Sequence, residues 1–221
     1  MLTIFLRDQI MTLRAGDDRE ICYRAGRAAD APVLARLMNL ASAGASQYAL
    51  QNLVPGVPAE ELLARAVARS DSEFSHTRCL VAADSVRILG MINFFTPAER
   101  DQLSQNSLLV MPPPARIEFL RRVEKLWPFA ELQISDSIVI DTIAVETSER
   151  GQGIGAALMN HAKQAARNRG LSQLSVQVWE DNLRGLAFYQ REGFQLVKTI
   201  AFTPPPPIAS RGGLCLLACP V

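Results

Sequence analysis

Apolar residues along this chain recur at two spacings, and the two alternate. Val33, Leu34, Leu37, Met38 and Ala41 fall three and four residues apart behind Asp30, which is placed to cap a helix. The same period returns in Ala59–Ala68 through Leu62, Leu63 and Val67. It returns again in Gly153–Arg169, where Ile154, Ala157, Leu158, Ala162 and Ala165 oppose Asn160, Lys163, Gln164 and Arg167. Gly170 stops that helix, and Leu183–Arg191 predicts a shorter one.

Between these lie short runs rich in branched residues. Ile21–Arg24 reads as a first strand, and Cys79–Ala83 and Ile88–Phe95 flank a polar turn at Asp84–Arg87, a hairpin signal. Ser137–Val145 is the densest such run, as a central strand is. Leu174–Trp179 and Phe194–Phe202 follow. Leu214–Ala218 returns as the antiparallel partner of Phe194–Phe202 after the stiff turn Pro204–Pro207. Strands mixed with helices predict an α/β (α+β) fold, a mixed sheet covered by helices.

Residues 1–19 read as an N-terminal extension and 20–221 as a single domain, with a variable insert at about 96–131. Within the insert Pro112, Pro113 and Pro114 are expected to stop any regular element. Ala115–Leu126 has helical composition, with Ile117, Leu120, Val123 and Trp127 expected to face inward. The segment is long for a connection, which fits a lid or pocket wall, and equally a helix covering one side of the sheet.

Composition narrows the class. With 48% hydrophobic and 20% charged residues among 221, the chain is expected to bury one sizeable core. Twenty-three basic against 22 acidic residues leave a net charge of +1, without the broad positive field that attracts nucleic acid or an anionic membrane. Apolar runs break well before the roughly 20 residues of a bilayer span, and Arg7 and Asp8 interrupt Met1–Leu6 before a secretory core forms, so a cytoplasmic location is expected. Cys22, Cys79, Cys215 and Cys219 form no CxxC pair, and with only His76 and His161 beside them no metal site is expected. Both histidines read as ordinary packed or surface side chains.

The candidate chemistry sits between the best strand and the best helix. In Glu149-Arg150-Gly151-Gln152-Gly153-Ile154-Gly155, alternate glycines clear side chains from a turn whose N–H groups converge, and the helix start adds its positive end. A diphosphate suits such a turn, with Arg150 as a further charged contact. A tight turn without ligand is the alternative. The sequence lacks the Gly-Lys-Ser/Thr of a nucleotide triphosphate loop, and no acid stands near Leu171 for the ribose of a dinucleotide.

Ile140–Val145 followed by Arg150–Gly155 resembles the cofactor motif of the GCN5-related N-acetyltransferase (GNAT) superfamily, and Val178–Phe194 resembles its second motif. The likeness extends more loosely from Ile21 to Ala218. It implies a mixed, mainly antiparallel sheet flanked by helices and an acetyl-CoA-dependent N-acetyltransferase. On this resemblance Arg150, Gly151, Gln152, Gly153, Ile154 and Gly155 wrap the coenzyme A diphosphate, and an N–H near Ala144 and Val145 meets the thioester oxygen. Asn182 caps a helix and bonds the pantetheine arm, and Tyr189 is the general acid. The resemblance also makes a homodimer plausible. Gly185 departs from the pattern, where alanine is more usual, at roughly 0.5–1 kcal/mol of helix stability.

An uncharged amine is required for direct attack on a thioester, so a base is sought. Unbroken alternation from Glu131 puts Asp141 on one face with Ile143 and Val145; a carboxylate in an apolar strand is costly unless it is solvated, paired or lines a cavity. Asp141 is therefore the first candidate base and Glu131 the reserve. Asp71, Glu73, Glu118 and Glu124 stand in variable segments where they either draw a cationic amine or form solvated surface. The expected acceptor is a small-molecule primary amine. A protein lysine or amino-terminal acetyltransferase and a non-catalytic coenzyme A binding module are the alternatives.

Overall fold

The computed structural model describes residues 11–14 and 19–221, the first four by backbone alone. In chain order the elements are β1 (Met11–Arg14), β2 (Glu20–Ala25), α1 (Ala31–Ala41), α2 (Ala45–Leu50), α3 (Ala59–Ala68), β3 (Cys79–Ala83), β4 (Ile88–Phe95), α4 (Pro97–Ser107), α5 (Pro113–Glu124) and α6 (Pro128–Glu131). Then follow β5 (Ile138–Val145), α7 (Ile154–Asn168), β6 (Gln173–Trp179), α8 (Leu183–Arg191), β7 (Gln195–Ile200) and β8 (Leu214–Pro220). Most of the expected 1–19 extension lies outside the described residues; its Met11–Arg14 pairs with β2 as a sheet edge.

One sheet runs in the order β1-β2-β3-β4-β5-β6-β8-β7, and only β5 and β6 are parallel. It is the mixed, mainly antiparallel α/β arrangement expected. Alternating side chains divide between two cores. Leu80, Ile92, Ile138, Ile140 and Val176 meet α7 on one face. Cys79, Val81, Met91 and Ala144 meet α1 and α3 on the other. A third cluster joins Tyr48 of α2, Leu126, Leu132, Trp179 and Ile208.

The insert departs from expectation. Pro113 and Pro114 start α5 instead of stopping it, since a first helical turn needs no N–H from these positions. Its apolar residues face outward: Ile117 is 71% and Leu120 53% exposed, and Val123 and Trp127 are exposed as well. Packing of α5 runs through Ala115 and Phe119. The helix α4, whose composition gave no apolar stripe, is held at its start by a capping box between Thr96 and Glu99.

The run from Glu131 to Val145 is not one strand. Pro128 opens α6, in which the Leu132 N–H donates to the Pro128 carbonyl at 3.0 Å, and β5 begins only at Ile138. The alternation is broken once more inside β5. Opposite β4, Thr142 pairs with Asn93 and Ile140 with Phe94, so Asp141 is the extra residue of a β-bulge. Ile143 and Val145 consequently share a face with Ile138 and Ile140.

Candidate active site

β5 and β6 pair only across Ile138–Ile140 and Leu174–Val176. Beyond Ile140, β5 stays with β4 while Gln177–Trp179 stay with β8, so the sheet splits open. A cavity of about 800 Å³ runs through this gap. On one face it meets Ile154, Phe188 and Tyr189; on the other it meets Met38, Leu63, Phe74, Phe129 and Leu214.

The turn after β5 forms one end of the cavity. Gly151 and Gly153 have φ of +84° and +80°, in the left-handed region where a side chain is strained. Gly153 is the N-cap of α7 and carries no capping side chain. Among the described residues no protein acceptor meets the N–H groups of Ile154, Gly155 and Ala156, and the first helical bond is Ala157 N–H to Gly153 at 3.0 Å. Unpaired donors at the positive end of a fifteen-residue helix suit a diphosphate. Gly155 is required by packing, since a Cβ there would lie 3.3 Å from the Phe188 ring.

The turn is anchored from behind. Arg150 Nε donates to the Val145 carbonyl at 3.0 Å, tying it to the end of β5. Glu149, 4% exposed, takes Arg19 Nη1 at 2.7 Å, Arg87 Nη2 at 2.6 Å and Gln152 Nε2 at 3.3 Å. Two arginines far away in sequence and one glutamine of the turn itself thus fix one buried carboxylate. Gln152 is committed to this cluster through its side chain, which leaves its backbone for the turn.

Register decides which N–H groups of β5 face the gap. The Glu146 N–H donates to Leu89 at 2.8 Å, so by alternation Ala144 also turns its N–H to β4. Ile143 and Val145 point theirs into the gap. Of the two expected positions only Val145 presents a donor there, and Ile143 joins it; the bulge at Asp141, invisible in the sequence, sets this parity.

Asn182 caps α8 through its side-chain oxygen, which accepts from the Gly185 N–H at 2.9 Å, and it borders the cavity. Tyr189 packs edge-on against Phe188 and Phe194 at 5.3 and 5.4 Å. It is 8% exposed, and its hydroxyl has no protein partner among the described residues, which leaves that atom for the cavity it lines. Burial pushes the phenol above its ordinary value, keeping the proton on it at neutral pH.

Asp141 is an exposed residue of β5 that opens onto the cavity. Its one side-chain hydrogen bond is from Thr142 Oγ1 at 3.2 Å. Burial raises its carboxyl above the usual range, against the opposing pull of Arg100 and Thr142. Arg100 also faces Glu73, with Nε 3.5 Å from Oε2. Glu73 is pushed up to about 7, first by burial and further by Asp141, while Arg100 pulls it down. Arg100 thus pairs with Glu73 and acts on Asp141 only at longer range. Asn93, wholly buried beside them in register with Thr142 and Cys79, donates Nδ2 to Cys79 Sγ at 3.5 Å.

Glu131 is not brought to this place. It ends α6, exposed, and lies outside the cavity lining, because the strand that was to carry it starts seven residues later. Sequence reasoning placed Glu73 among undifferentiated variable-segment acids and passed over Phe74, Phe129 and Gln177. Gln177 Nε2 donates to the Phe129 carbonyl at 2.8 Å, and because Gln173 and Ser175 alternate with it along the same strand it gave no distinct signal.

The family model described as "Acetyltransferase (GNAT) family" matches residues 48–194. A mycothiol acetyltransferase from Jonesia denitrificans is 36% identical over 89 residues, 40% of this chain and 28% of that protein. A streptothricin acetyltransferase from Streptomyces lavendulae is 40% identical over 57 residues, 26% of this chain and 30% of that protein. The chain thus spans under a third of the length of either relative. An N-acetyltransferase structure from Staphylococcus aureus Mu50 superposes with a TM-score of 0.66 at 16% identity, covering 89% of this chain and 98% of that one, a likeness of fold. Among the described residues no helix is long and apolar enough to cross a membrane.

Proposed function

The chain belongs to the acetyltransferase (GNAT) family, and from that premise we propose that it transfers an acetyl group from acetyl-CoA to a primary amine carried by a small molecule. The observation that carries this is the gap between β5 and β6, with a donor-lined turn at one end and a lone carboxylate, Asp141, beside it.

Bound acetyl-CoA supplies an activated acyl group on a thioester. The N–H groups at the start of α7 and the Arg150 guanidinium would hold its diphosphate, and Asn182 would hold the pantetheine arm while capping α8. Val145 and Ile143 would direct N–H donors at the carbonyl oxygen. Asp141 would take one proton from the acceptor ammonium, directly or through a water molecule; its raised pKa strengthens it as a base. Tyr189 would give a proton to the departing sulfur and regain one from the attacking nitrogen, so that neutral amide and thiol are released.

A small acceptor is supported by the walls. The loop between β7 and β8 reaches across to α2 and the segment around α6, where Ile208 packs with Tyr48, Leu126 and Leu132. The names of the two curated relatives point the same way. A homodimer belongs to this proposal through the family resemblance, and light scattering on the purified protein tests it.

The activity is tested by incubating the protein with acetyl-CoA and a panel of small amines, lysine peptides and free amino-terminal peptides, following thiol release and acylated product by mass spectrometry. Stoichiometric thiol and amide from small amines is the expected outcome. Turnover confined to peptides contradicts the acceptor class, and coenzyme A binding without any amide contradicts the activity.

A further inference from the structure

Six acidic or basic side chains border the cavity besides the Tyr189 phenol: Asp141, Glu149, Arg150, Arg184, Arg191 and Glu192. Their partners separate them. Glu149 is neutralised by Arg19 and Arg87, and Glu192 lies 3.5 Å from Lys163. The three arginines belong to the turn and to α8, the end assigned to the anionic cofactor. Asp141 is then the one bordering carboxylate without an ion-pair partner within 4.0 Å among the described residues.

Beside Asp141 and the polar lining residues Ser42, Ser46, Thr142 and Gln177, the cavity carries a set of apolar side chains. Met38, Leu63, Phe74, Phe129 and Leu214 line that half of the cavity, and Phe129 meets the Trp179 ring edge-on at 5.3 Å. Trp179 in turn stacks on Phe202 at 6.1 Å and 10°, which stiffens this wall. Ala43, at φ +51°, is held in the left-handed region at the edge of the same half, where the loop from α1 turns back. A polycation entering here would meet one bordering carboxylate, Asp141, since Glu73 lies outside the lining and already faces Arg100. A monoamine with an apolar body would place one ammonium on Asp141 and its carbon skeleton against the rings.

Resting on the acetyl-transfer reading above, we propose that the acceptor is a hydrophobic primary monoamine, an ammonium on a short alkyl tether to an aromatic or branched apolar group, and that Phe74 and Phe129 determine this preference. Burial of such a group stabilises the complex in proportion to its apolar area, and a second charge is selected against by the same wall.

The test compares phenethylamine with putrescine and spermidine on the full chain. Two readouts are taken: kcat/KM for acetylation, and equilibrium binding to the protein saturated with coenzyme A, followed by tryptophan fluorescence and by ligand-observed NMR. Phenethylamine is expected to exceed putrescine at least about tenfold in both. Phe129→Ala should weaken phenethylamine about tenfold more than putrescine. Phe74→Asp, which adds a second carboxylate, should shift the ratio toward putrescine; circular dichroism and Tm of each variant separate loss of fold from change of preference. A polyamine preferred in binding overturns the inference. Preferential binding of phenethylamine without its acetylation upholds the inference and overturns the activity on which it was framed.

Discussion

The side-chain oxygen of Asn182 accepts from the Gly185 N–H at 2.9 Å, and a Cβ at residue 185 would lie 2.7 Å from Asn182 Nδ2. Glycine at 185 therefore makes room for the cap at a position where helix propensity favours alanine. Gly185→Ala gains about 0.5–1 kcal/mol of propensity and disturbs a cap of about 1 kcal/mol. The expected outcome is a nearly unchanged Tm with a severalfold higher KM for acetyl-CoA, measured by thermal melting and steady-state kinetics. A lower KM would remove Asn182 from the cofactor's contacts.

Tyr189→Phe deletes one hydroxyl that bonds nothing in the protein. Stability should change little, and kcat should fall about a hundredfold with the KM for acetyl-CoA unaltered. Unchanged kcat at saturating donor would assign Tyr189 to packing against Phe188 and Phe194 alone.

The carboxylates around Arg100 give a pH signature. Asp141 acts as a base only when ionised, so kcat/KM should fall as pH drops through its raised pKa, and Asp141→Asn should lose this acidic limb. Glu73 is raised by Asp141 and loses its proton after it, so Glu73→Gln should leave the limb in place. Arg100→Gln should move the limb upward. A limb that stays in place in Arg100→Gln would separate Asp141 from this cluster.

Stability should follow Glu73 as well. Its folded pKa, about 7, lies above the unfolded value, so the folded state holds the extra proton between the two and loses that stabilisation as pH rises through about 7. Melting temperatures of the native protein and Glu73→Gln should differ in the variant's favour more at pH 8 than at pH 5. Equal differences at the two pH values would contradict the burial assigned to this carboxyl.

Glu149→Gln should loosen the turn without touching the cavity's chemistry. It takes the charge from a carboxylate that receives Arg19, Arg87 and Gln152, at a cost of ~1–3 kcal/mol. The KM for acetyl-CoA should rise severalfold and kcat stay within about twofold. A fall in kcat alone would place Glu149 nearer the reacting atoms.

Much of this was legible in the sequence because local signals agreed with the global fold. The boundaries of α3, β3, β4 and α8 are those read from periodicity and turn residues, and the turn at 150–155 announced itself through glycines that the structure holds at positive φ. Other features depend on pairing and could not be read locally. The bulge that extrudes Asp141 exists only opposite Asn93 and Phe94, and it decides that Ile143 and Val145 face the gap. Glu131 failed because a proline-started turn displaced the strand, and Ile117 and Leu120 failed because an apolar stripe does not state whether anything covers it. Glu73 and Asp141, 68 residues apart, meet only through Arg100 on α4, a helix with no amphipathic signal.

The most direct measurement uses acetyl-CoA labelled with ¹³C in the acetyl group, a primary amine, and the native protein beside Gly153→Val, whose side chain the φ of +80° at that position opposes. The account predicts labelled amide on the amine nitrogen, one free thiol per amide, and loss of both in the variant while its fold persists by circular dichroism. Thiol release without labelled amide, or equal rates in the two proteins, would contradict it.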